Sequence, residues 1–133
     1  MIDIENAVYT KVFDALRKVF PTLYITADPI AIPSEYPCAS IYEADNYSYD
    51  KTQDSNSNEN HVNVMYELYV FSNKATGRKT ECKNIFKVAD DVLLKTGFTR
   101  ISKTPILDSD GKDYRLVGRY SAVVSKNKEI YRR

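Results

Sequence analysis

Hydrophobic residues near the start of the chain recur at helical spacing. Ile4, Val8, Val12, Leu16 and Phe20 are each four residues apart, and Ala7, Phe13, Val19 and Leu23 fill the adjoining stripe. This is the pattern of an amphipathic helix. Asp3 is placed to cap its start and Pro21 to stop it, which predicts a helix over 3–20. A short strand follows over 23–26. Asp28-Pro29, Ile32-Pro33 and Pro37 then impose extended, irregular backbone, because proline lacks a donor and restricts the residue before it. Over 38–44 the pattern alternates as a strand does, with Ala39 and Ile41 opposite Cys38, Ser40 and Tyr42.

Residues 46–60 read NYSYDKTQDSNSNEN and contain no aliphatic side chain. Such a segment buries too little surface to offset its ordering entropy, so a long mobile hairpin loop is predicted. Residues 61–72 give the clearest strand. Val62, Val64, Tyr66, Leu68 and Val70 share one face, and Met65, Tyr69 and Phe71 share the other with Glu67. A strand apolar on both faces needs cover on both, so its second face calls for more of this chain or for another subunit.

A second helix is predicted over 78–96. Cys82, Ile85, Phe86, Ala89, Val92 and Leu93 form its buried stripe, Lys79, Lys83, Lys87, Asp90 and Asp91 lie outside it, and Gly97 ends it. A strand broken at Pro105 follows over 98–107, then a turn at 108–111, a strand over 114–125 and a polar tail, 126–133. The order α-β-β-β-α-β-β predicts one α+β domain, 1–133, with two helices on one face of a mainly antiparallel sheet.

Composition excludes several function classes. Apolar residues make up 43% of the 133, enough for one core. No run approaches the roughly 18 apolar residues of a membrane span. The opening MIDIENAVYT has no basic segment, so no signal peptide is expected. Four glycines leave no glycine-rich phosphate loop, and the single histidine, His61, reads as a loop-edge residue. Cys38 and Cys82 fall on apolar stripes as small buried hydrophobes, with a reactive thiol or a disulfide as the alternative. Asp90-Asp91 reads as a solvated face, and Asp108 with Asp110 as a plain turn that lacks the later ligands of a calcium loop. These features disfavour an enzyme, a cofactor or a resident metal.

Charge is placed unevenly although it nearly balances, at 19 basic against 18 acidic residues. Residues 43–60 hold five acids (Glu43, Asp45, Asp50, Asp54, Glu59) and one base (Lys51), a net of −4, whereas 100–133 hold nine bases and four acids, a net of +5. The two regions would complement each other in head-to-tail contact between copies, or else are separate solvated surfaces. Tyrosine is enriched at interfaces. Tyr47 and Tyr49 in the polar loop read as partner contacts, or as side chains packed back on the loop base, and Tyr69 and Tyr131 join them as interface candidates. Arg115, Arg119, Lys126, Lys128, Arg132 and Arg133 with interleaved tyrosines suggest a nucleic-acid surface, but a net charge of +1 is low for that role.

Taken in order, the segments FPTLYITAD, IAIPSEYPCASIYEAD, HVNVMYELYVFSN, GRKTECKNIFKVADDVLLKTG and DYRLVGRYSAVVSKNKEIYRR resemble the small tail-terminator, or tail-completion, proteins of long-tailed bacteriophages. These are also described as minor capsid or head–tail joining proteins. The closing segment carries most of the likeness, through Arg115, Arg119, Tyr120 and Ile130-Tyr131-Arg132. The resemblance implies a virion structural protein, not an enzyme, assembled in the host cytoplasm and sited at the neck. Such a protein docks as a hexameric ring on the tail tube, ends tube growth and offers a surface to the head connector, and it can be a monomer until it docks. Expected partners are further copies, the tail tube protein and the connector or head-completion protein. The interface candidates are Tyr47, Tyr49, Asp50, Asp54, Tyr69, Arg115, Arg119, Tyr131 and Arg132. The alternatives are a head-completion or adaptor protein of the same neck and, from another class, a small nucleic-acid-binding domain.

Overall fold

A computed structural model describes residues 2–48, 61–107, 113–125 and 127–131. The element order is α1 (Glu5–Val19), β1 (Tyr24–Thr26), β2 (Cys38–Ser48), β3 (His61–Ser72), α2 (Arg78–Thr96), β4 (Thr99–Leu107), β5 (Tyr114–Ser125) and β6 (Ile130–Tyr131). The predicted α-β-β-β-α-β-β order is the observed one, with β6 added in the tail, where it pairs with the end of β5.

Both helices end as their sequences dictate. In α1 the buried residues Val8, Val12 and Leu16 follow the four-residue spacing. Asp3 does not cap the helix from the N-cap position, which Ile4 holds; its Oδ1 instead accepts the Glu5 N–H at 2.9 Å. Arg17 Nη1 donates to the Pro21 carbonyl just beyond the helix, at 2.6 Å. Ala7 and Val19 are exposed, so the apolar stripe is narrower than predicted. In α2, Gly97 has φ 119°, and the Gly97 and Phe98 N–H groups donate to the Leu94 and Leu93 carbonyls. This is a Schellman ending, which needs a residue that tolerates positive φ.

The strand order is β1-β2-β3-β5-β4, with β6 beside β5. Every pair is antiparallel except β1 with β2. The helices cover one face of this sheet. Val62, Val64, Tyr66, Leu68 and Val70 of β3 and Leu116, Tyr120, Ala122 and Val124 of β5 form one core with Val8, Val12 and Leu16 of α1 and Ile85, Phe86, Ala89 and Leu93 of α2. At Gly118 the contact is tight: an added Cβ would lie 2.6 Å from Phe86 Cζ.

Chain from the proline-rich connection covers one end of the opposite face. Ser40 Oγ donates to the Asp28 carbonyl at 2.6 Å, and the Tyr36 hydroxyl reaches Asp113 Oδ2 at 2.9 Å. Cys38, Phe71 and Val117 are buried at that end, outside the main core. Among the described residues, the second face of β3 is therefore covered at one end only.

Two expectations need correction, and one lies outside the described residues. Residues 46–48 belong to β2 rather than to a loop, and 49–60 lie outside the described residues. The turn predicted at 108–111 lies outside them too. Asp90 is buried rather than solvated, because the Tyr120 hydroxyl and Arg100 both bind it.

Candidate functional site

Strand alternation builds the site. β2, β3 and β5 present every second residue away from the helices, and the register aligns these residues in rows across the sheet. One row is Tyr42, Glu67 and Arg119. The Tyr42 hydroxyl donates to Glu67 Oε1 at 2.7 Å, and Arg119 Nε donates to Oε2 at 2.9 Å, so one carboxylate ties three strands together. Burial, then the bond to Glu67, pushes the Tyr42 phenol far above its ordinary pKa, which keeps it a donor. The next row on this face is Ser40, Tyr69 and Val117, and the one after it is Cys38, Phe71 and Arg115.

Aromatic rings link the rows. Tyr42 stacks on Tyr69 with centroids 6.1 Å apart, and Tyr69 stacks on Phe71 at 6.0 Å. The Arg115 guanidinium lies 5.2 Å from the Phe71 ring centre and binds the buried Asp113 through Nε at 3.1 Å and Nη2 at 3.3 Å. Stacked guanidinium groups and paired carboxylates of this kind fix side chains in place. The surface is thus ordered by contacts within the chain itself.

A β-bulge decides what the other end of the face displays. Strict alternation from Tyr42 would turn Ala44 and Asn46 outward. The register shift between Glu43 and Asp45 instead sets Asp45 opposite Met65 and Tyr47 opposite Asn63. Tyr47 is 50% exposed as a result, and Met65 and Tyr69 are half-buried.

The nine sequence candidates divide into three groups. Tyr47, Tyr69, Arg115 and Arg119 are brought to one face, where the Arg119 side chain is 56% exposed and Arg115 is committed to Asp113 and Phe71. Tyr131 is placed by β6 at the register position opposite Val123 of β5. Tyr49, Asp50, Asp54 and Arg132 lie outside the described residues. Tyr42 and Glu67 were missed as site residues. Their signal was present, since alternation put both on the outer faces of their strands, but it takes the β2–β3 register to show them adjacent.

Of the two cysteines, Cys38 belongs to this face and Cys82 to the helix side, where its thiol donates to the Tyr114 carbonyl at 3.3 Å. Both are free thiols. Charge is also graded across the strand order. Glu43 and Asp45 lie on β2, to one side of β3, and Arg100, Lys103 and Arg119 lie on β4 and β5, to the other.

No protein-family model matches the chain. No curated protein gives a significant match to its sequence.

Proposed function

We propose that this chain is a structural protein of the neck of a long-tailed phage: it caps the tail tube as an oligomeric ring, stops tube growth and presents a surface for head joining. The second face of the sheet, which the described residues cover at one end only, carries this reading. A face with an ordered aromatic ladder, exposed Tyr47 and Arg119 and half-buried Met65 suits a protein partner. Exposed Asp45 on β2 and exposed Lys103 on β4, at opposite sides of β3 in the strand order, support head-to-tail contact between copies, which closes into a ring when the rotation allows. The sequence resemblance to tail-terminator proteins adds to this reading.

The nucleic-acid reading is weaker. Arg115 and Arg119 of β5 each pair with a carboxylate, Asp113 and Glu67. A phosphate would have to displace both.

The test is rescue of a phage that lacks this gene. Tyr47→Ser combined with Arg119→Ala removes two exposed side chains; the second also breaks the pair with Glu67, so the fold should lose about 1 kcal/mol in all. The account expects a folded variant that restores few infectious particles. Full rescue by that variant would remove the open face from the reading. Rescue particles with normal tails but unfilled or leaking heads would favour the head-completion alternative.

A further inference from the structure

The helix side carries a second cluster that the assembly reading does not use. One carboxylate oxygen from each of Asp3, Glu5 and Glu43 lies within 4.8 Å of the others. The cluster is held from two directions. On α1, Asp3 Oδ1 accepts the Glu5 N–H at 2.9 Å. On β2, just past the bulge, Asn46 Nδ2 donates to the Ile2 carbonyl at 2.8 Å and to Glu43 Oε1 at 3.2 Å. Among the described residues no lysine, arginine or histidine forms an ion pair with any of the three. Lys11 and Lys128 line a neighbouring cavity of about 380 Å³ with Asp3 and form no ion pair with it.

Tyr66 is the independent observation. It stands directly opposite Glu43 in the β2–β3 register and is 1% exposed. Its hydroxyl has no hydrogen-bond partner among the described residues. A buried, unbonded hydroxyl is costly, and native structures leave few of them. Burial first, then the charges of Glu43, Glu5 and Asp3, raise its pKa. Tyr66 and Glu5 also line one cavity of about 50 Å³, room enough for a water molecule.

We infer that Asp3, Glu5 and Glu43 bind a divalent cation and that a water on this cation hydrogen-bonds the Tyr66 hydroxyl. All the donors are oxygens, which selects a hard cation. The 4.8 Å limit on the oxygen separations is about twice the calcium–oxygen distance of roughly 2.4 Å, so calcium fits with little rearrangement. Magnesium, with bonds of about 2.1 Å and stricter octahedral demands, should bind more weakly. Sequence spacing could not reveal this site, because its ligands come from the start of α1 and from the middle of β2.

The experiment uses the full chain, stripped of metal with a chelator and titrated with calcium chloride, magnesium chloride and terbium chloride. Calorimetry should show one saturable calcium site with a Kd of about a millimolar or tighter, and the thermal midpoint should rise with calcium. Asp3→Asn combined with Glu43→Gln should weaken binding by roughly tenfold or more. Tyr66→Phe should weaken it by roughly tenfold and reduce tyrosine-sensitised terbium emission. Circular dichroism checks that each variant is folded; Asp3→Asn alone, at an exposed position, serves if the double variant is not. No saturation up to about 10 mM calcium, well above the weak end of known sites, would overturn the inference, as would binding unchanged by the carboxylate variants. Binding lost in those variants but unchanged in Tyr66→Phe would overturn the water contact.

Discussion

The Tyr120 hydroxyl donates a 2.6 Å hydrogen bond to Asp90 Oδ1, joining the middle of β5 to α2 beneath the core. Asp90 is 7% exposed, and Arg100 of β4 holds its other oxygen at 2.8 Å. Three elements therefore meet at one carboxylate. Tyr120→Phe should cost about 1–3 kcal/mol, because it leaves a buried charged acceptor short of a donor. Asp90→Ala should cost at least as much, since it strands the Tyr120 hydroxyl in the core. Urea unfolding of each variant measures both losses, and near-zero values would mean that this network contributes nothing to stability.

Gly118 sets how closely α2 approaches the sheet. An alanine Cβ there would lie 2.6 and 2.9 Å from two atoms of the Phe86 ring and 2.9 Å from the Tyr120 ring. The rings can yield only by moving within the core. Gly118→Ala should therefore destabilise by about 1–3 kcal/mol through overpacking, read as a lower denaturation midpoint. Adding Phe86→Leu should recover part of that loss.

The thiols should be inert until the chain unfolds. Burial raises the Cys38 pKa from 9.0 to about 11. Burial, then Glu81 and Asp113, raises that of Cys82 to about 12. Only the thiolate reacts, so a thiol reagent at pH 8 should label neither cysteine in the native chain and both in denaturant. The same shifts fix a sign. Between pH 9 and about 12 the unfolded chain releases protons that the folded chain retains, so stability should fall as pH rises through that window. The contribution of these two groups is fully present below pH 9.

Much of this fold is legible in the sequence. The bounds of β3, α2 and β5 follow from period-two and period-3.6 patterning and from Gly97, because each element has one face that must be buried. What escapes such reading depends on contacts between distant segments. Asp90 looks like a solvated helix residue until Tyr120 is seen against it. The outward turn of Asp45 and Tyr47 needs the bulge at Ala44, which alternation does not announce. Two-residue β6 is too short to carry a pattern, and its pairing with β5 is a tertiary fact. Tyr36 reaches Asp113 from the proline-rich connection, which sequence could place only as irregular backbone.

The central claim is that this chain ends tail growth, and electron microscopy of a lysate from its phage or prophage with the gene deleted tests it most directly. The account predicts overlong or ragged tails beside separate, filled heads, reversed when the gene is supplied in trans. Intact, infectious particles with tails of normal length would contradict it.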